Sequence, residues 1–143
     1  MPAPADQRIG MVLKKAEQAM LRARSAALKP VGLTLAQYVA LAELDRQPGI
    51  TGATLARACL VTPQAVMVVL KSLEEQGLIV RSPHPRHPNV LELRITDTGR
   101  EILDAARHSV EPVERRVTGA FSLGELEVLG ALLTRWIEAL DGD

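Results

Sequence analysis

Residues 82–89 read Ser-Pro-His-Pro-Arg-His-Pro-Asn, with prolines at 83, 85 and 88. Proline fixes φ and removes a backbone donor, so no helix runs through this stretch. Short β-like runs flank it, Leu78 to Arg81 before and Val90 to Thr96 after. In the second run Leu91, Leu93 and Ile95 alternate with Glu92 and Arg94, the pattern of a half-buried strand. A stiff, exposed hairpin tip between two paired strands is expected. Leu and Ala together supply 40 of 143 residues, which favours helix elsewhere. The chain is therefore expected to be mainly α with one small β-hairpin.

The helices are delimited by their own punctuation. Ile9, Val12, Leu13, Ala16, Met20, Ala23 and Ala27 recur every three or four residues, one apolar stripe on a long first helix that Pro30 and Gly32 stop. Thr34 with Gln37 forms a capping box for a second helix that runs to about Arg46, with Leu35, Val39, Ala42 and Tyr38 turned inward. Gln47-Pro48-Gly49 is a turn. Thr51 opens a short third helix from Gly52 to about Cys59, with Leu55 and Ala56 inward. Thr62-Pro63 is a strong helix start, and the fourth helix reaches about Gln76 before Gly77 stops it. Thr96 or Asp97 caps a fifth helix striped by Ile102, Leu103, Ala106, Val110, Val113 and Val117, with a bend expected near Pro112. Ser122 with Glu125 opens the last helix, whose apolar residues are Leu126, Leu129, Leu132, Leu133, Trp136, Ile137 and Leu140.

Seventeen Lys and Arg balance seventeen Asp and Glu, yet the charge is segregated. Residues 1–33 carry +4, residues 81–100 carry +2 and residues 122–143 carry −4. The overall neutrality therefore argues neither for nor against a polyanionic partner. One cysteine, Cys59, excludes an intrachain disulfide framework and points to a reducing, cytoplasmic home. The opening Met-Pro-Ala-Pro-Ala-Asp lacks a signal-peptide pattern, and no apolar run nears the 18 or so residues of a membrane span.

Helix, helix, turn, helix with a Thr-Pro start, then a basic hairpin is the order of a winged helix-turn-helix. In that arrangement the second helix of the pair fits the DNA major groove and its N-terminal residues reach base edges. The hairpin reaches the adjacent minor groove or backbone, where cations meet phosphate. The residues so placed are Thr51, Thr62, Pro63, Gln64, Ala65, Met67, Val68 and Lys71 of the helical part, with Arg81, His84, Arg86 and His87 of the wing. Val66, Val69, Leu70 and Leu73 are left for the core, and Ser72 joins Gln64 and Lys71 as a polar group of the reading helix.

Leu33-Thr34-Leu35-Ala36-Gln37-Tyr38, Leu55-Ala56, Val61-Thr62-Pro63-Gln64-Ala65-Val66, Leu73-Glu74-Glu75-Gln76-Gly77-Leu78-Ile79 and Leu93-Arg94-Ile95-Thr96-Asp97-Thr98-Gly99 follow one another in an order and spacing that resemble the MarR family of bacterial transcription regulators. The long flanking helices extend the resemblance to nearly the whole chain. It implies three regions: an N-terminal dimerisation helix (1–32), a winged helix-turn-helix DNA-binding module (33–100) and C-terminal dimerisation helices (101–143). It also implies a homodimeric repressor of a pseudo-palindromic operator, released by a small ligand. Wide apolar stripes beyond the small module agree, since they need a partner surface. The family often binds aromatic or phenolic effectors in a crevice beside the second helix, which makes Lys14, Lys15 and Tyr38 the candidate lining here. No other cofactor and no metal is implied.

The chain departs from the family in two places. Met67 and Val68 stand where an arginine or polar residue is usual, so readout is weighted to Gln64 and to apolar contact with thymine methyls. In the wing, His84 and His87 replace acids that usually pair with a tip arginine, and Pro88 takes the arginine's place. Arg86 is left as the tip cation, held by proline stiffness rather than by an ion pair.

Plainer readings stand beside these. His84-x-x-His87 with His108 is a weak zinc pattern with no cysteine or acid adjacent in sequence, so solvent- or phosphate-facing histidines are expected, and pH-dependent DNA binding through them stays open. Cys59 lies among Leu55, Ala58 and Leu60 and reads as a packing thiol rather than a redox sensor. Trp136 reads as core or interface. The chain lacks a Gly-rich phosphate loop, a Gly-x-Ser-x-Gly and an HExxH, which argues against an enzyme. The competing class is a dimeric winged-helix adaptor that binds protein instead of DNA, kept open by the apolar Met67 and Val68.

Overall fold

A computed structural model describes residues 5–142. Six helices and one antiparallel hairpin follow one another as α1 (Ala5–Leu28), α2 (Leu35–Arg46), α3 (Gly52–Ala58), α4 (Pro63–Glu75), β1 (Ile79–Pro83), β2 (Leu91–Ile95), α5 (Asp97–Thr118) and α6 (Leu123–Asp141). A single 3-10 turn, Lys29–Val31, separates α1 from α2. The architecture is mainly helical with a small β wing, as the patterning predicts. The chain divides into two compact units, one ending at Val110 and the other starting at Glu111, so α5 begins in the first and ends in the second.

Hydroxyl side chains set five of the helix starts. Thr34, Thr51, Thr62, Thr96 and Ser122 each accept from the backbone N–H three residues on, at 3.0–3.3 Å. Such a cap stabilises a helix by about 1 kcal/mol. At Thr34 and Ser122 the box is complete, because Gln37 Oε1 and Glu125 Oε1 accept in return from the cap N–H groups at 2.9 Å. Thr96 rather than Asp97 is the α5 cap.

The core of the first unit is aliphatic. Leu28, Leu41, Leu44, Leu55, Leu70, Leu73, Leu78, Ile79, Leu93, Leu103 and Ala106 are fully buried, with Val66 and Val110 nearly so. In α2 the inward residues differ from expectation. Ala40, Leu41, Leu44 and Gln37 are buried, whereas Leu35, Tyr38, Val39 and Ala42 are only partly covered. Helix α2 is apolar nearly all round, and it packs against α1, α3, α4 and β2 at once. Periodicity alone therefore does not select its buried face.

In the hairpin, Ile79 pairs with Ile95, Arg81 with Leu93 and Pro83 with Leu91. Strand β1 starts one residue later than the sequence suggests and extends to Pro83, which sits at the strand end where its missing N–H costs nothing. Of the alternating apolar trio in β2, Leu93 and Ile95 are buried and Leu91 is exposed. A third strip, which no strand pattern in the sequence marks, joins the hairpin. Gly49 N–H donates to Leu93 O and Leu93 N–H to Ile50 O, both at 3.0 Å, and Thr51 bridges Glu92. These contacts fasten the wing's root to the loop before α3. Residues 47–51 are too short and too turn-rich to read as a strand.

Gly99 lies where α5 meets the wing. A Cβ there would stand 2.2 Å from Leu78 O and 2.7 Å from Ile95 Cγ1. Leu78 O accepts from Thr96 N–H at 3.0 Å, so this close approach locks the exit of β2 onto the entry of β1. Asp45 of α2 reaches Arg100 (3.4 Å) and Arg107 (3.1 Å) of α5.

In the second unit no residue of α6 is buried. Leu123, Val128, Leu129, Leu132, Ile137 and Leu140 are exposed, and Leu126, Leu133 and Trp136 are half-covered. In the first unit the α1 stripe behaves the same way. Ile9 and Val12 are exposed, and Leu28 is the buried residue of α1 among those described.

Candidate nucleic-acid interface

The chain bends by 110° between α3 and α4, within the roughly 90–120° of a helix-turn-helix. The turn is tied back by Val61 N–H to Ala56 O at 3.1 Å and Leu60 N–H to Arg57 O at 3.2 Å. Leu60 adopts a left-handed backbone, φ 56°, and its side chain is 92% exposed.

Helix α4 has two distinct faces. Val66, Leu70 and Leu73 anchor it in the core, with Val69 half-buried. Thr62, Pro63, Gln64, Ala65, Met67, Val68 and Lys71 are all exposed on the other side. These are the residues expected to read DNA, apart from Thr51. Thr51 is half-buried; its hydroxyl caps α3 and donates to Thr54 Oγ1 at 3.0 Å. Ser72 does not join the reading face. Its Oγ accepts from Gln37 Nε2 at 3.0 Å and from Gln76 Nε2 at 3.1 Å, which links α2 to α4. Gln37 is thus doubly used, as capping partner of Thr34 and as tie to the reading helix. The first use is visible in the Thr-x-x-Gln spacing, but the second needs the packing of α2 on α4.

The wing is anchored at its base and open at its tip. Arg81, expected to meet phosphate, is turned toward α4, with Nε 2.7 Å from Glu74 Oε2. At the tip His84 N–H donates to Val90 O and Val90 N–H to His87 O, both at 2.8 Å. Arg86 N–H donates to His84 Nδ1 at 3.0 Å. The Arg86 backbone is therefore held by an imidazole as well as by proline stiffness. The Arg86 and His87 side chains are exposed, and Arg86 has no ion pair among the described residues. An acid does stand near the histidines. Glu92 Oε1 lies 3.6 Å from His84 Nε2, and Glu92 Oε2 lies 3.1 Å from Arg94 Nη2. Sequence adjacency conceals Glu92 because it comes from the opposite strand. Among the described residues no group of three His, Cys, Asp or Glu is placed to hold a metal ion.

The remaining candidates do not converge on this face. Lys14 and Lys15 are exposed on α1, about 20 Å along the helix from Leu28 at its 1.5 Å rise per residue. Tyr38 is half-buried against the core on α2. None of the three side chains makes a hydrogen bond or ion pair among the described residues. Cys59 is half-buried, packed on the core, and burial pushes its thiol pKa up, with the charge of Glu43 acting in the same direction.

The family model described as MarR family matches residues 31–87, from the turn after α1 through α4 into the wing tip. An HTH-type transcriptional repressor of Mycobacterium tuberculosis is 36% identical over 112 residues, which cover 78% of this chain and 81% of that one. The chain belongs to the MarR family. It is a transcription regulator, as its relatives are, and not an enzyme. The solved structure of the transcriptional repressor CouR bound to a 23-mer DNA duplex matches with TM-score 0.82 and 29% identity, covering 90% of this MarR-family chain and 91% of CouR. CouR from Rhodococcus jostii RHA1 bound to p-coumaroyl-CoA shares the fold at TM-score 0.82 and 22% identity, covering 97% and 95%. No single helix among the described residues is long and apolar enough to cross a membrane.

Proposed function

We propose that this MarR-family regulator is a homodimeric repressor that reads a pseudo-palindromic operator with α4 and the wing, and that a small aromatic or phenolic effector releases it. The observation that carries the DNA-binding part is the division of α4. Three core anchors fix the helix while seven consecutive or near-consecutive residues from Thr62 to Lys71 stay bare. In a two-fold dimer the two copies of α4 enter successive major grooves about 34 Å apart. Gln64 is suited to a bidentate contact with adenine, Met67 and Val68 to thymine methyls, and Lys71 and Arg86 to phosphate.

The homodimer is supported by the apolar residues left uncovered on α1 and α6, which need a surface of matching character. The effector class is supported by Tyr38, half-buried on α2 with no hydrogen bond to its hydroxyl among the described residues, and by p-coumaroyl-CoA, named with CouR, which carries a phenol. Lys14 and Lys15 stand apart from Tyr38 along α1 and would join such a site only from another part of a dimer. A coupling of about 1–3 kcal/mol between effector and DNA suffices to switch such a regulator.

A gel shift with the DNA upstream of the protein's own coding sequence, combined with sedimentation, tests this. A dimer that shifts the fragment, and that loses affinity on Gln64→Ala, is expected. A folded dimer that shifts no DNA at low salt overturns the operator reading and leaves the protein-binding adaptor.

A further inference from the structure

The hydrogen bond from Arg86 N–H to His84 Nδ1, at 3.0 Å, fixes more than the shape of a turn. A nitrogen that accepts carries no proton, so the His84 proton belongs on Nε2, the atom 3.6 Å from Glu92 Oε1. Pro85 and Pro88 offer no backbone N–H, and those of His84, Arg86, His87 and Val90 are all engaged across the tip. Of these four bonds only the one at Arg86 depends on a titratable side chain.

We propose that His84 is a positioning residue for Arg86, holding the wing's tip cation through its neutral, Nε2-protonated imidazole, and that protonation of this ring releases the tip. Adding a proton to Nδ1 sets two donors against each other, so the Arg86 N–H loses its acceptor. The groups around the ring reinforce the change. Glu92 of β2 attracts the imidazolium from the Nε2 side, away from Arg86, and its second oxygen is occupied by Arg94 of the same strand. Within the tip, the His87 ring lies 5.2 Å away and the Arg86 guanidinium is a like charge. The exchange is therefore between a bond that shapes the tip and an ion pair that draws His84 back to the sheet. The consequence for operator binding rests on the wing acting as a DNA arm, as proposed above.

The full-length protein free of DNA tests the link itself. Long-range ¹H–¹⁵N spectra of the imidazoles are expected to show His84 as the Nε2–H tautomer at about pH 8. On acidification to about pH 5.5, across the range in which histidines gain a proton, the Arg86 amide signal is expected to move with the midpoint of the His84 ring. In His84→Asn the side-chain carbonyl accepts from the N–H two residues on, so the Arg86 amide keeps its position at both pH values. In His84→Ala the amide exchanges faster with solvent. An Nδ1–H tautomer, or an Arg86 amide indifferent to both pH and His84→Ala, overturns the proposal. Binding to the upstream DNA fragment then separates the two readings. At a salt concentration high enough to screen the charge of the added imidazolium, the Kd of wild type relative to His84→Asn is expected to rise about threefold on acidification, the scale of one hydrogen bond. A flat ratio with Arg86→Ala still weakening binding overturns release of the tip. A flat ratio with Arg86→Ala binding like wild type, the spectral link intact, overturns the DNA role of the wing and leaves the His84–Arg86 link standing.

Discussion

Arg81 Nε stands 2.7 Å from Glu74 Oε2, joining the first strand of the wing to the last turn of the reading helix. The N–H is not directed along this line and finds no hydrogen-bond acceptor, so the attraction is Coulombic. Glu74 is half-exposed, and pairs of this kind contribute about 0–1 kcal/mol to stability. Their larger effect is on where a cation points. Neutralising the acid with Glu74→Gln frees the guanidinium for phosphate and removes a charge that repels DNA. The variant is expected to lose no more than about 1 kcal/mol of stability, to bind non-specific duplex more tightly, and to steepen the slope of log K against log salt by about 0.9 for one added phosphate contact. An unchanged slope shows that Arg81 stays out of reach of DNA.

Ser72 joins the reading helix to the buried Gln37. Removing the hydroxyl with Ser72→Ala leaves Gln37 Nε2, on a residue only 7% exposed, without its partner. Stranding a buried donor costs about 1–3 kcal/mol, so chemical denaturation is expected to show a loss of that size. Replacing Gln37 by Leu in the same background removes the stranded donor. The double variant is expected to lose less than the sum of the two single losses.

These two links mark the limit of what the chain discloses by pattern. The caps at Thr34, Thr62 and Ser122, the stop at Gly77 and the proline-stiffened tip are local signals, so each is legible at its own position. The exposed side of α4 is legible too, because the spacing of Val66, Leu70 and Leu73 assigns the opposite side to solvent. Arg81 with Glu74, Gln37 with Ser72, and His84 with Glu92 depend on which elements meet, and a linear pattern carries no such distances. The incomplete reading of α2 has the same origin: Leu35, Tyr38 and Ala42 do pack against the core, but Gln37, Ala40, Leu41 and Leu44 are the residues buried in it. A helix covered by four neighbours has little amphipathic contrast to read.

Gly99 has a steric rather than a conformational reason to be glycine. A methyl group there meets the Leu78 carbonyl at 2.2 Å and the Ile95 side chain at 2.7 Å, and the Leu78 backbone has little room to yield. Overpacking of this kind costs about 1–3 kcal/mol or more. Gly99→Ala is therefore expected to lower the melting temperature by several degrees, at roughly 2–8 °C per kcal/mol for a domain of this size. Unaltered melting shows that α5 slides away from the wing without penalty.

Cys59 gives stability a pH dependence of known sign. Burial and the charge of Glu43 raise the thiol pKa in the folded chain. The unfolded chain therefore surrenders its thiol proton first as pH rises. The contribution is fully present below the unfolded thiol value, about 8.5, and declines above it until the folded thiol also ionises. Denaturation midpoints of wild type are expected to fall more steeply than those of Cys59→Ala on the alkaline side of that value, and the two curves to run parallel at neutral pH. The same disfavoured thiolate predicts slow reaction with iodoacetamide at neutral pH.

Leu60 is strained where glycine or asparagine is the usual occupant. Its φ of 56° places it in the left-handed region, and its side chain, 92% exposed, contributes nothing to the core. A non-glycine residue in that conformation costs about 1–2 kcal/mol. Asparagine tolerates the region better and loses less backbone entropy on folding than glycine does. Leu60→Asn is therefore expected to stabilise the protein by about 0.5–1 kcal/mol, a part of that cost. A loss of stability instead shows that the leucine side chain has packing value in the folded protein. Comparing the variant's DNA affinity with wild type then separates a turn under strain from a turn that leucine helps to seat on DNA.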